Sequence, residues 1–164
     1  MKQQPNGPRY VLLVRLPRSL EVRLEDGFLS LSGATKPVMG YHVTVLGPFF
    51  WLGGTEEVMR EKVAQVCRQW SPFHIQLRGI GAFRAFNDNV VYVKTVRSPS
   101  LLLLHRRLRG VLGEAIQLQR DDGTYAPHVT LGLGLSDREL QAFTSDSGQN
   151  GFAESFDAHV LGLA

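Results

Sequence analysis

The chain holds a single cysteine, Cys67, among its 164 residues. One thiol closes no intramolecular disulfide and supplies no Cys-rich zinc site, so a hydrophobic core has to hold the fold, as is ordinary in a reducing compartment. Lysine is scarce too: Lys2, Lys36, Lys62 and Lys94 stand against fourteen arginines. Long hydrophobic runs are missing. The longest early one, Val11 to Leu16, is six residues broken by Arg15, too short for a signal-peptide core and far short of the roughly 20 residues of a membrane helix. Neither sign of charge dominates, with 18 Lys+Arg against 15 Asp+Glu and a net charge of +3. That excludes a dense polybasic coat. The arginine bias favours small anionic ligands or RNA ends, because the planar guanidinium fork matches phosphate oxygens. The expected location is cytoplasmic, with no membrane association and no obligate protein partner.

With 43% hydrophobic and 20% charged residues, the chain suits one packed core and reads as a single unit over 1–164. Met1 to Pro8 is polar, contains Pro5, Gly7 and Pro8, and reads as a flexible start. Tyr10 to Leu16 and Tyr41 to Leu46 are Val- and Leu-rich runs stopped by Pro17 and by Gly47-Pro48, which predicts strands. The stretch Gly33 to Gly40 between them reads as loop. Phe73, Ile75 and Leu77 alternate with His74, Gln76 and Arg78, and after a Gly-rich break Asn89 to Val96 alternates again, a hairpin-like pair. His128 to Leu133 and Phe156 to Leu163 predict two more strands. Helices are predicted at Ser19 to Leu31, from the Thr55 cap toward Pro72, from Ser98-Pro99 to Ala115, and at Ser136 to Phe143. Asp121-Asp122-Gly123 reads as a turn and Ser145 to Gly151 as loop. Interleaved strands and helices place the chain in the α/β or α+β class.

One segment occurs twice. Tyr41-His42-Val43-Thr44-Val45-Leu46-Gly47 and Pro127-His128-Val129-Thr130-Leu131-Gly132 share His-Val-Thr, an apolar residue and a nearby Gly, with the histidines 86 positions apart. Five His and seven Thr give about 0.2 chance His-x-Thr matches per chain, so a pair sharing the middle Val is expected in well under about one chain in a hundred. On strands, the period of two puts His42 and Thr44 on one face with Val43 and Val45 on the other, and likewise His128 and Thr130. If helices cover the valines, two imidazoles and two hydroxyls project into one space. That set suits in-line splitting of a phosphodiester. Imidazole, with an ordinary pKa of about 6.5, serves as base on one side and acid on the other, and short stiff Thr hydroxyls hold the phosphate oxygens.

These segments, together with the strand Tyr10 to Leu16, Gly47-Pro48-Phe49 and Tyr125-Ala126-Pro127, resemble the two-histidine phosphoesterases, the superfamily of bacterial RNA 2′,3′-cyclic phosphodiesterases also called 2′-5′ RNA ligases or LigT-like proteins. The resemblance implies an α+β fold of two lobes related by a pseudo-two-fold, with two antiparallel sheets lining a central cleft and helices on the outer faces. It implies His42 and His128 as the catalytic pair and Thr44 and Thr130 as the phosphate ligands, with no metal and no cofactor. Expected substrates are RNA ends or nucleotides bearing a 2′,3′-cyclic phosphate, opened to a 2′-phosphate with His42 as acid and His128 as base. The reverse step is 2′-5′ ligation. Position 126 carries Ala where the family has a bulkier or more polar residue.

Candidate substrate contacts from strand alternation are Tyr10, Arg15, Tyr92 and Lys94, with Arg84 and Tyr125 added by nearness to the motif strands. Tyr41 and Tyr125 are candidates to stack a base. His74, His105 and His159 lack a following Thr and read as structural or surface residues, His74 being the nearest exception beside Gln76 and Arg78. Cys67 lies in a helix stripe with Val63, Val66 and Trp70 and reads as an inert thiol. Arg106, Arg107 and Arg109 read as a solvated helix face. Gly79-Ile80-Gly81 is followed by Arg84 where a dinucleotide fingerprint needs a third Gly, and no P-loop occurs. Two other readings share these residues: a non-catalytic binder of nucleotides or RNA ends, and a phosphodiesterase for other small cyclic or 2′-5′-linked nucleotides.

Overall fold

A computed structural model describes residues 5–29, 31, 33–121, 123–144 and 152–164. The expected loop Ser145 to Gly151, Asp122 of the expected turn and the first four residues of the expected flexible start lie outside them. In chain order the elements are β1 (Arg9–Arg15), α1 (Arg18–Leu29), β2 (His42–Trp51), α2 (Glu56–Arg68), β3 (Phe73–Phe83), β4 (Asn89–Thr95), α3 (Pro99–Leu112), β5 (Ile116–Leu118), β6 (His128–Leu135), α4 (Asp137–Thr144), β7 (Ala153–Ala158) and β8 (Gly162–Leu163). The class is α+β. Eight strands form one antiparallel sheet in the order β7-β3-β4-β6-β2-β1-β8, with β5 added beside β2.

The two expected antiparallel sheets are not separate: β7-β3-β4-β6 and β2-β1-β8 are joined edge to edge into the one sheet. Their junction is the single pairing Val43↔Val129 between β2 and β6. Along the chain, β1-α1-β2-α2-β3 and β4-α3-β6-α4-β7 repeat the order strand, helix, His-x-Thr strand, helix, strand, with β5 inserted before β6, and the helices cross over: α1 packs on β6, and α3 packs on β2 and against α2. The valines that the alternation assigns to the core are there, with Val43, Val45 and Val129 fully buried and Leu131 nearly so. Among the described residues no helix is long and apolar enough to cross a membrane.

Helix α3 forms for the reasons its sequence states. Ser98 Oγ accepts from the Leu101 N–H at 3.2 Å, Pro99 follows, and Leu101, Leu104, Leu108 and Leu112 fill one buried face. The α-helix ends at Leu112, and from Gly113, at φ +50°, the expected run to Ala115 continues as a single 3-10 turn. Thr55 holds the N-cap position of α2, and Glu56 and Glu57 complement the dipole there.

Three strands differ from expectation. β2 does not end at Gly47-Pro48 but continues to Trp51, because Phe49 pairs with Tyr10 and Leu46 with Leu12, leaving Gly47 and Pro48 opposite Val11 alone. A proline in such a bulge forfeits no ladder bond. Glycine is needed at 47: its φ is +124°, and a Cβ there would lie 2.8 Å from the Tyr10 carbonyl oxygen. β3 runs through the Gly-rich stretch, its register shifting between Leu77 and Ile80 around Gly79 at φ +76°. The predicted strand Phe156 to Leu163 is two strands on opposite edges of the sheet, β7 on β3 and β8 on β1. Only residues 159–161 join them, and four steps of chain span at most about 14 Å. The sheet therefore curls until its two edges nearly meet.

Candidate active site

The two dyads occupy equivalent places. Over the first eight positions β2 and β6 show the same alternation of buried and half-exposed residues, with His42, Thr44, His128 and Thr130 all half-exposed. Val43 pairs with Val129 in antiparallel register, so His42 and Thr44 on β2 and His128 and Thr130 on β6 flank that pair on one face of the sheet. The two histidines lie near enough for the charge of one to act on the other.

Each ring is held in the same way. His42 Nδ1 lies 2.8 Å from the Gly40 carbonyl oxygen and His128 Nδ1 lies 2.8 Å from that of Ala126. A carbonyl only accepts, so Nδ1 is the donor in both rings and Nε2 is left as the proton-exchanging nitrogen. Burial lowers the pKa of His42, the Gly40 carbonyl opposes that, and the charges of Arg15 and His128 add to the lowering.

This direction fixes a pH dependence of stability. A neutral imidazole is favoured in the folded state, so the unfolded chain takes up the proton first, and the His42 contribution is intact above about pH 6.5 and lost as pH falls below it toward the lower folded value. His105 shifts the same way, from burial first and then from Arg109 and Arg106. The expected outcome is an unfolding temperature that drops between about pH 7 and pH 5 in the wild type and drops less in His42→Gln. Parallel curves for the two proteins would contradict it.

The expected cations frame the dyads symmetrically. Arg15 pairs in register with His42 and Lys94 with His128. Arg15 Nη1 donates to the Met39 carbonyl at 3.0 Å. Tyr92 pairs with Thr130, and its ring stacks on Phe83 with centroids 4.3 Å apart, each ring 5.0 Å from that of His128. Gly81 makes this possible, since a Cβ there would come within 2.7 Å of the Tyr92 ring.

Beyond Val43 the strands β2 and β6 part, and the gap is a groove of about 620 Å³ whose lining includes Thr44, Phe83, His105, Tyr125 and His128. Two side chains serve the β2 carbonyls freed by the parting. Tyr125 donates its hydroxyl to the Thr44 oxygen at 3.0 Å, and His105 donates from Nδ1 to the Val45 oxygen at 2.7 Å. Their rings stack, 3.9 Å apart and 3° from parallel. Burial pushes the Tyr125 hydroxyl pKa up, so it remains a donor.

Three expected contacts are not brought to this place. Tyr10 donates to the Glu56 carboxylate at 3.1 Å and packs on Phe49; five residues from Arg15, it falls on the opposite face of β1. Tyr41 is 2% exposed and belongs to the core, so it is not available to stack a base. The same alternation that exposes His42 buries its odd-numbered neighbours. Arg84 lies in the connection between β3 and β4 and is exposed, outside the lining of this groove. Conversely, Phe83 and His105 do line the site and were not expected there. His105 carried a signal: it lies four residues after Leu101 and three before Leu108, on the apolar stripe of α3.

An open antiparallel sheet with two His-x-Thr dyads on one face defines the architecture of the two-histidine phosphoesterases. Comparison with known proteins agrees. The structure is similar to that of TT0787 from Thermus thermophilus, with TM-score 0.66 and 21% identity over 95% of this chain and 87% of that one. It is similar also to E. coli LigT complexed with 3′-AMP, with TM-score 0.68 and 16% identity over 94% and 86% of the two chains. At such identities the likeness is one of fold. A "Putative phosphoesterase" of Bacillus cereus (strain G9842) is 29% identical over 98 residues, 60% of this chain, and the match spans 54% of that relative's length, so the chain matches about half of it. Residues 32–164 match the family model of the 2′-5′ RNA ligase superfamily, and the chain belongs to that superfamily.

Proposed function

We propose that the protein is a phosphodiesterase that opens 2′,3′-cyclic phosphates at RNA or nucleotide ends without a metal. The observation that carries this reading is the duplicate setting of the two imidazoles, each with Nδ1 tied to a carbonyl and each next to the Val43↔Val129 pair that joins the two motif strands. In the step, water attacks phosphorus and gives its proton to Nε2 of one histidine. The P–O3′ bond breaks, and the other histidine delivers its proton to O3′, leaving a 2′-phosphate. Thr44 and Thr130 hold the non-bridging oxygens as charge builds on them.

We assign His128 as base and His42 as acid for this product. The assignment follows the family resemblance; burial by itself disfavours a charged His42, and a bound phosphodiester anion acts against that pull, because an opposite charge nearby favours the imidazolium. The roles exchange by symmetry, so a 3′-phosphate product would report His42 as base. The same step run backward joins a cyclic phosphate to a 5′-hydroxyl through a 2′-5′ linkage.

The test is hydrolysis of the four nucleoside 2′,3′-cyclic monophosphates with and without EDTA, the products resolved by position. Turnover is expected to survive EDTA unchanged. Loss with the chelator and recovery on adding a divalent ion would overturn the metal-free mechanism.

A further inference from the structure

A second groove, of about 380 Å³, meets the first at His128. The two share the wall Tyr125-Ala126-Pro127-His128 and the ring of Phe83. Their charges are arranged differently. The larger groove is lined by Arg109, Arg120 and its own carboxylate, Asp121, which Arg109 Nη2 clasps through two bonds of 2.7 Å. The smaller is lined by Lys94 and Arg97 and by no carboxylate, and neither cation forms an ion pair among the described residues. Lys94 is the register partner of His128, so this positive charge begins one strand away from the proton-exchanging ring. The stacked Phe83 and Tyr92 rings line the same groove.

We infer that the smaller groove is a subsite for a second phosphate, one nucleotide upstream of the phosphate held by the dyads. The preferred substrate is then an oligonucleotide end and not a free nucleotide. This rests on the reading of the dyads as a phosphodiesterase site. A cyclic mononucleotide carries one phosphate, which the two His-x-Thr pairs occupy, and it leaves Lys94 and Arg97 without a counterion. A chain of two or more nucleotides brings an anion to them while the terminal nucleoside fills the larger groove. Exposed cations facing a phosphate give affinity without base selectivity and make it salt-dependent.

The experiment compares kcat/KM for adenosine 2′,3′-cyclic phosphate, its 5′-phosphorylated form, and the dinucleotide ApA ending in a 2′,3′-cyclic phosphate. The proteins are the wild type, Arg97→Lys and the double variant Lys94→Gln/Arg97→Gln. The wild type is expected to favour the dinucleotide by about tenfold or more, Arg97→Lys to keep most of that preference, and the double variant to reduce it to within about twofold. The salt dependence on the dinucleotide should flatten by up to about 0.7 in log–log slope, the increment for one single-strand phosphate neutralised. The 5′-phosphorylated nucleotide separates the sources: a matching gain means a terminal phosphate suffices, and a gain with ApA alone means the internal diester is read. No wild-type preference, a preference unchanged in the double variant, or an equal loss on all substrates overturns the subsite. If no substrate is turned over, hydrolysis of these ends fails as a reading. Calorimetric binding of ApA 3′-phosphate against 3′-AMP then decides the subsite by itself: tighter binding of the dinucleotide that the double variant loses supports it, and equal affinities end it.

Discussion

Replacing His128 by Ala is expected to lower kcat for a nucleoside 2′,3′-cyclic phosphate by about 10²–10⁴, the range that one positioned acid or base contributes. His42→Ala does the same, and the double variant falls little further than either single one, since a step needing both a donor and an acceptor of the proton stops when one is gone. The loss appears in kcat more than in affinity for the product, because Thr44, Thr130 and Arg15 remain to hold phosphate. His128 is half-exposed and makes one side-chain hydrogen bond, to the Ala126 carbonyl, so the unfolding temperature of His128→Ala should stay close to that of the wild type. Turnover and product affinity measured on the same preparations check this. A variant with full turnover would remove that histidine from the mechanism, and one that loses affinity with no turnover to lose would identify a binder instead of an enzyme.

Thr44→Val and Thr130→Val are expected to cost about 10²–10³ each in kcat, comparable to deleting one donor from an oxyanion site. Valine keeps the volume and the β-branch that suit positions on β2 and β6, so the backbone is undisturbed and only the hydroxyl is lost. The anchor of Thr44 to Tyr125 runs through the Thr44 carbonyl and survives the change. Thr→Ser at the same positions restores the hydroxyl and should recover most of the rate. If the valine variants turn over as the wild type does, the backbone and cations alone stabilise the transition state, and the threonines serve only to build the strand.

The dyads were legible in the sequence because a strand has a period of two and the motif is duplicated: Val43 and Val129 could only be buried together if the histidines faced out together. The same rule, applied to Tyr41 and Tyr10, excludes them from the site, Tyr41 through its neighbour Val43 and Tyr10 through its odd spacing from Arg15. The start of α3 was equally plain, since Ser98 and Pro99 act within one turn of the helix they begin. Continuity of β2 past Pro48 was not legible. It depends on a bulge opposite Val11, and Val11 belongs to a different part of the chain.

Local sequence therefore determined which residues the proposed chemistry rests on, what the cap and strand periods are, and that the two motifs are equivalent. Tertiary structure alone decided how they meet. The β2–β6 junction rests on one pairing between residues 86 positions apart, and the groove exists because the strands part immediately beyond it. The division of Phe156 to Leu163 between opposite edges of the sheet follows from the curl of the whole sheet, and so does the stacking of His105 on Tyr125 across the gap. Such features depend on where distant segments come to lie, and side-chain periodicity within one segment holds no information about the distance to another.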